Sequence, residues 1–358
     1  MKTINIVGGI FGTTGYDSHT RNLANALAKI TKCRLSTQLC PNWQRMVNDA
    51  ELEMIQRVPE YDDINLIVAT PHNWKLYTGN GMNIGYCVWE GDKIPVSWID
   101  DMLNPDIDLI IVPSSHTLDA IRKTSEKVTH KIRVVPHGVD RSIFYKINKE
   151  KDDDIFRFVC NKGWRGTSWD RGGVQYVIKA FAEEFSKDEK VEIILKLNPA
   201  YINPAMLDGI IKGMKLPEDR AKINICTDNV PFNKMGHLYK DSDCFICATR
   251  AESFNLPGLE AMSCGLPTIQ TNYGGQTDYM TDDNSLFIKY TLEEVKEDLM
   301  YEGISWATPD MIDLKNQMRF AFENQDKFKE KGKQAEEDSK NWTWDISANK
   351  LMGILKNI

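Results

Sequence analysis

The chain has 358 residues, with Lys+Arg 44 against Asp+Glu 51 and a net charge of −7; 42% of its residues are hydrophobic and 27% charged. At about 150 residues per domain this corresponds to roughly two domains, long enough to bury a core without disulfides or structural metal and unlike a disordered or collagenous chain. The acidic balance excludes a general affinity for nucleic acid, which needs a basic face, but leaves room for a small cationic pocket. No run approaches the ~20 apolar residues of a membrane span. The start, MKTINIVGGIFGTTG, has too short an apolar core for a signal peptide and reads as a first strand entering a glycine loop. Of the eight cysteines, only Cys244 and Cys247 form a C-x-x-C. On a strand that spacing puts the thiols on opposite faces, so zinc is not expected and the thiols read as reduced and mostly buried, as in a cytoplasm.

Short β-branched runs alternate with helical stretches along the chain. In the first half, strands are expected at 4–7, 33–37, 64–70, 83–89, 108–114 and 131–136, apolar throughout as in a sheet covered on both faces. Between the first two, YDSHTRNLANALAKI carries Leu23, Ala26, Leu27 and Ile30 at helical spacing, with Asp17 or Ser18 available as cap. The charged run 146–154 reads as a linker, or else as an exposed loop within one domain. Alternation then restarts, with strands expected at 156–161, 191–197, 222–227, 243–248, 266–271 and 285–289. From about 291 the chain looks helical to its end. Two doubly wound α/β domains are therefore expected, with a cleft between the carboxyl ends of two parallel sheets where ligands bind.

The most informative segment is 248–280. The strand FICAT ends just before Glu252, and a helix starts near Leu256 or Pro257, since Pro suits a first turn. Glu260 then lies about one turn into the helix. The N–H groups of Asn255 to Gly258 would point outward at a helix N-terminus, a ready anion and hydroxyl site. Flanking carboxylates suit a ligand with phosphate in its middle and hydroxyl-rich sugars at its ends.

ESFNLPGLEAMSCGLPTIQTNYGG resembles the E-x7-E signature of family 4 glycosyltransferases (glycosyl transferases group 1), retaining enzymes of the GT-B fold: two Rossmann-like doubly wound domains facing across a deep cleft. The resemblance implies an acceptor-side domain at 1–147, a donor domain at 148–340, and a final helix at about 341–358 returning to the first domain, with Trp342 and Trp344 as packing residues. It places Glu252 by the transferred sugar, Glu260 on the ribose hydroxyls, and the backbone of Ser253, Phe254, Asn255 and Leu256 against sugar and phosphate. In FVCNKGWRGTSWDRGG, Arg165 and Arg171 have the family's spacing for the two cations on the diphosphate. Arg171 stands where Lys is usual, and Lys162 is the substitute if the register differs. The segment VVPHGVDRSIF is a family hallmark, in which His137 to Asp140 read as architectural, Gly138 permitting the turn and Asp140 capping a short helix.

In the glycine loop GGIFGTTG, Gly12 and Gly15 are the candidates for close backbone approach to donor phosphate and acceptor. The dinucleotide spacing G-x-G-x-x-G is missing. His19 either reaches the cleft or lies on a helix surface. His72 and Glu90 each follow a buried strand and should emerge at the cleft rim. Glu90, in Trp-Glu-Gly-Asp, could orient the acceptor hydroxyl or position the donor sugar, or be a plain loop carboxylate.

The family implies transfer of a hexosyl group from a UDP- or GDP-sugar to a hydroxyl of a glycan or glycolipid, as in polysaccharide biosynthesis, with no cofactor beyond that co-substrate and no metal. Cytoplasmic location is expected; contact with the inner face of a membrane stays open. The alternatives are an epimerase-type GT-B enzyme, a non-catalytic nucleotide-sugar binder and a DNA-modifying glucosyltransferase, the last disfavoured by the net charge.

Overall fold

The computed structural model describes residues 3–37, 47–61, 63–146, 153–296 and 298–357. Its chain divides into two compact units, Met1–Gly138 with Asp298–Ile304 and Trp342–Ile358, and Val139–Glu297 with Ser305–Asn341.

In the first unit the apolar runs form β1 (Ile4–Gly8), β2 (Cys33–Thr37), β3 (Ile64–Val68), β4 (Asn83–Tyr86), β5 (Leu109–Val112) and β6 (Ile132–Val134). They pair in parallel in the order β2-β1-β3-β4-β5-β6. The helices are α1 (Gly15–Ala28), α2 (Asp49–Gln56), α3 (Trp98–Leu103) and α4 (Ser115–Thr124). The second unit repeats the plan with β7 (Phe156–Lys162), β8 (Val191–Leu197), β9 (Lys222–Cys226), β10 (Cys244–Cys247), β11 (Thr268–Thr271) and β12 (Ser285–Ile288). These pair in parallel in the order β12-β11-β10-β7-β8-β9. Its first helices are α5 (Val174–Glu184), α6 (Leu207–Gly213), α7 (Gly236–Lys240) and α8 (Leu256–Ser263). Every strand run expected from the sequence forms a strand. Several end before the apolar run does, because its last residues turn into the loop.

Three expectations are corrected. The region after 290 is not helical throughout. It opens with an antiparallel hairpin, β13 (Tyr290–Glu294) and β14 (Ser305–Pro309), before α9 (Met311–Glu323), α10 (Gln325–Ser339) and α11 (Trp344–Leu355). TLEEVKEDL has helix-forming composition, but tertiary contacts override it. Ala307 N–H donates to the Arg250 carbonyl at 2.8 Å. The buried Arg250 guanidinium donates to the Ala307 carbonyl at 3.0 Å, pairs with Glu293 at 3.3 Å and lies 4.6 Å from the Trp169 ring centroid. Second, α1 is capped by Thr14, with Asp17 at the third helical position completing a capping box. Asp17 and Ser18 lie inside the helix.

Third, the division falls after Gly138, earlier than 147. Residues that follow it are already anchored in the second unit: Phe144 is buried against Phe232 and Tyr239, and its carbonyl accepts from the Ser263 hydroxyl at 2.6 Å. Within the charged run expected as a linker, 147–152 lie outside the described residues. Its flanks hold ion pairs in the second unit, Lys146–Glu336, Asp153–Arg157 and Asp154–Lys190. Gly138 is needed for close approach rather than for the turn, since a Cβ there would stand 2.2 Å from the Trp344 nitrogen.

That approach seats α11 on α1. Trp344, His19 and His137 stack in a buried group, with ring centroids 4.3 Å apart between the histidines and 5.7 Å from each to Trp344, and Tyr86 closes it at 4.3 Å from His19. His19, expected at the cleft or on a helix surface, is 1% exposed with no hydrogen-bond partner at either ring nitrogen. Leu23, Ala26 and Leu27 take the inward face of the same helix, and His19 falls on it one turn earlier. Burial lowers its pKa to about 3, and burial, with the neighbouring His19 second, lowers that of His137 well below its usual value. The folded state thus holds both rings neutral, while the unfolded chain takes up protons below about pH 6.5. Stability should be fully present above that pH and fall as pH drops towards 3, at about 1.4 kcal/mol per pH unit for each histidine. Urea midpoints between pH 7.5 and 5 should decline along this slope, and His19→Phe should flatten it.

Candidate active site in the second unit

In the second sheet the strand order reverses between β7 and β10. Loops leaving two such strands part to opposite sides and leave a crevice at their carboxyl ends, where doubly wound sheets bind ligands. β7 ends on Lys162, and β10 leads through 248–251 to Glu252. Lys162 Nζ lies 2.8 Å from Glu252 Oε1 and donates to Asn255 Oδ1 at 2.6 Å. The side chains of this pair are only 7% and 17% exposed. Burial raises the Glu252 pKa, but Lys162 and Arg171 outweigh it, so the carboxyl sits below its usual range. For Lys162, burial opposes the charge, and Cys247 and Glu252 more than compensate.

Asn255 is the joint of the site. It caps α8 in the left-handed region, φ 63°, a conformation Asn tolerates. Its amide donates to Gln270 Oε1 at 2.6 Å, and its carbonyl accepts from the Tyr279 hydroxyl at 2.8 Å. That carbonyl also accepts from Gly258 N–H at 3.1 Å. The expected outward row of N–H groups from Asn255 to Gly258 is therefore shorter: Gly258 is used in the first turn, and Pro257 has none. Ser253 and Asn255 are buried and Leu256 half-buried; the Phe254 ring is core, tilted against Tyr279 at 5.4 Å. Only its backbone can serve a ligand.

Gly274 and Gly275 brace this loop from behind. Gly275 N–H donates to the Glu252 carbonyl at 2.8 Å, and a Cβ on Gly275 would stand 1.8 Å from the Ser253 oxygen. Gly274 takes φ 98°, where only glycine is unstrained.

Glu260, on α8, is 9% exposed and accepts from the Tyr239 hydroxyl at 3.2 Å. Burial raises its pKa to about 7, with Tyr239 and Lys162 pulling the other way. Asn161 donates to the same Tyr239 oxygen at 3.1 Å.

The basic loop 163–173 is tied down by Asp170, whose two oxygens accept from Arg165 N–H at 2.8 Å and Gly172 N–H at 2.7 Å. Arg171 is half-buried; its guanidinium donates to the Ala251 carbonyl at 3.2 Å, and its own carbonyl accepts from Arg250 N–H at 2.9 Å. It is thus held beside Glu252. Arg165 is exposed. The cation brought to Glu252 from the β7 end is Lys162, the residue expected only as a substitute. The turn at Gly166, φ 76°, and the Asp170 clasp set the register of the loop, and residue spacing does not show them.

The first-unit candidates are placed separately. Gly12 is buried and its N–H donates to Asp17 Oδ1 at 2.9 Å; a Cβ would meet Asp17 at 2.6 Å, so the chain itself demands glycine there. Gly15 is exposed with nothing within 4 Å of a Cβ, and close approach by the rest of the protein does not explain it. His72 is exposed, its ring 6.2 Å from that of Trp98. His19 belongs to the buried stack and is removed from the acceptor candidates. The Glu90 carboxylate accepts from the Tyr301 hydroxyl at 2.6 Å. Sequence reasoning missed Tyr239, Gln270, Tyr279 and Asp170, which act by holding others, and Tyr301, which no motif marks. The Gly274–Gly275 pair was visible in the sequence without its reason.

Residues 224–338, which include Glu252 and Glu260, match the family described as glycosyl transferases group 1. The match covers part of the chain, and the two α/β units have the GT-B fold. Among curated proteins it is 23% identical over 271 residues to a candidate glycosyltransferase (number 45) of Sulfolobus islandicus filamentous virus, covering 74% of this chain and 71% of that one. Other curated relatives are spanned over 53% of their length or less. Sucrose-phosphate synthase from Thermosynechococcus elongatus superposes with TM-score 0.72 at 14% identity, over 100% of this chain and 99% of that one. HepE from Anabaena, in complex with UDP-glucose, does so with TM-score 0.70 at 12% identity over 100% of both. At these identities the structures speak for the fold alone. No described helix is long and apolar enough to cross a membrane.

Two substitutions test the joint. Lys162→Ala should cost about 3 kcal/mol of stability by leaving Glu252 buried and unpaired, and Glu252→Gln added to it should recover part of the loss in urea titrations. Gly275→Ala should push Ser253 away and remove ligand-induced thermal stabilisation while the far-ultraviolet spectrum stays native.

Proposed function

We propose that the protein is a retaining glycosyltransferase that moves a hexosyl group from a UDP- or GDP-sugar to a hydroxyl of a glycan or glycolipid, without a metal, on the cytoplasmic side of the cell. The observation that carries this reading is the Lys162–Glu252–Asn255 cluster, with Arg171 beside it, at the point where strand order reverses. Charge accumulates on the departing diphosphate as the bond from the sugar C1 to its oxygen breaks, so a fixed cation lowers the barrier. Arg171 supplies that cation, held beside Glu252 by its bond to the Ala251 carbonyl. Glu252, set by Lys162, orients the sugar. Backbone amides of 253–256 hold sugar and distal phosphate, and Glu260 accepts from the ribose hydroxyls. The acceptor oxygen bonds to C1 on the face the leaving group vacates, and its proton passes to the departing phosphate oxygen, which gives retention. The UDP-glucose bound by HepE supports a nucleotide-sugar donor.

A thermal-shift panel of UDP- and GDP-sugars tests the donor site. One nucleotide series should raise Tm in the wild type, as a ligand specific for the native state does, and Glu260→Ala should abolish the shift. Arg171→Ala should lower kcat at least about tenfold with a smaller change in donor KM, since its contact strengthens in the transition state. Because the Glu260 carboxyl titrates near 7, donor affinity should be weaker at pH 6 than at pH 8, and Glu260→Gln should remove that dependence. Conversion of donor to an epimer without any acceptor would replace this reading.

A further inference from the structure

Tyr239, on α7 of the second unit, is more than a packing ring. The residue is 1% exposed, and its ring packs on Phe144 and Phe245 with centroids 6.2 and 6.1 Å away. Phenylalanine would make those contacts equally well. What it lacks is the hydroxyl, and here both roles of the hydroxyl are used. Asn161, the neighbour of Lys162 at the end of β7, donates its amide to the phenol oxygen at 3.1 Å. That oxygen carries a single hydrogen, which must therefore turn to an acceptor. Glu260 Oε2 on α8 lies 3.2 Å away and is the closer of two acceptors, the Pro257 carbonyl standing at 3.4 Å. A carboxylate also outcompetes a neutral carbonyl for the same donor. Three elements, β7, α7 and α8, thus meet at one oxygen.

We propose that Tyr239, directed by Asn161, is the positioning residue of the Glu260 carboxylate, holding it ionised and turned to the paired hydroxyls of a nucleoside ribose; this rests on the glycosyltransferase reading above. Among the described residues Tyr239 is the one hydrogen-bond partner of this carboxylate, and it takes Oε2. A carboxylate has about four lone-pair sites, so acceptors remain for two ribose hydroxyls, whereas the neutral acid gives one of them up to a proton. Burial favours that neutral acid, and donation from Tyr239 is the first influence against it, ahead of the charge of Lys162. The other titratable groups that face Glu260 are Tyr279 and, at the end of its own helix, Cys264, which in turn stands by Arg141 and by Glu336 of α10. Burial keeps Tyr239 and Tyr279 well above the usual tyrosine value and pushes Cys264 up to about 12, and Lys162 lies above its usual value. Of Glu260 and the four groups that face it, Lys162, Tyr239, Tyr279 and Cys264, only Glu260 changes charge near neutral pH.

Two measurements on the full chain test this, one of them free of any ligand. In protein labelled with 13C at glutamate carboxyls, the Glu260 resonance, identified by its loss in Glu260→Gln, should titrate near pH 7 in the wild type. Tyr239→Phe keeps the ring and removes the hydroxyl, and it should move that midpoint up by about one pH unit, the scale of one hydrogen bond to a charged group. Asn161→Ala should move it the same way by less, and the double variant no further than Tyr239→Phe alone; if Tyr239→Phe does not fold, Asn161→Ala carries the comparison. Calorimetric titration with UDP and GDP from pH 6 to 9 should show the same displacement: about tenfold weaker binding by Tyr239→Phe at pH 7, a gap that narrows towards pH 9. An unmoved carboxyl midpoint, or a loss of affinity equal at every pH, would reduce Tyr239 to a packing residue and overturn the proposal. A displaced midpoint in a protein whose wild type binds neither UDP nor GDP would leave the hold on Glu260 standing and bring down its ribose role together with the glycosyltransferase reading.

Discussion

The site depends on an ion pair that is expensive to keep. Lys162 and Glu252 are mostly out of water, and removing two charges from solvent costs several kcal/mol each before any attraction is returned. Two features offset the cost here. Asn255 takes a second bond from the ammonium group, and Arg171 adds positive charge on the other side of the carboxylate. The pair in turn dictates backbone. Asn255 must present its side-chain oxygen to the lysine and its amide to Gln270 at once. It does so from a left-handed conformation that also turns its carbonyl into the first turn of α8. The glycines at 274 and 275 are the counterpart, since nothing with a Cβ could lie against the Glu252–Ser253 backbone.

How much of this the sequence reveals varies with the physics involved. Both sheets were legible, because strands covered on two faces leave uninterrupted apolar runs. The motif around Glu252 and Glu260 was legible because several residue types must coincide there. The identity of the cation beside Glu252 was not: counting residues from Arg171 points to Arg165, and only the fold shows that Arg165 is exposed while Lys162 is buried against Glu252. Histidine at 19 looks polar on a helical wheel, and its burial depends on α11, more than three hundred residues away. The hairpin β13–β14 was hidden for a related reason. Its residues favour helix locally, and the interaction that overrides them is a buried arginine, Arg250, in a different segment.

Tyr239 is the extreme case. Neither its spacing nor its neighbours suggest a role. Its significance arises only where Asn161 and Glu260 meet it. Residues that act by orienting another side chain carry no chemistry of their own, so sequence patterns built on chemistry pass over them.

The first unit is discontinuous along the chain, and this orders its birth. As the polypeptide leaves the ribosome, residues 1–138 emerge ahead of the second unit, yet the surface of α1 around His19, already packed on Tyr86 and His137, gains the Trp344 side of its cover only when α11 is made, last of the described helices. Every segment of the second unit has been synthesised by then. The usual vectorial order, in which the amino-terminal domain finishes before the next begins, is therefore not open to the first unit, because its last segment is made after every segment of the second. Translational pausing or truncation near residue 341 would leave a nascent protein with one finished half and one open half.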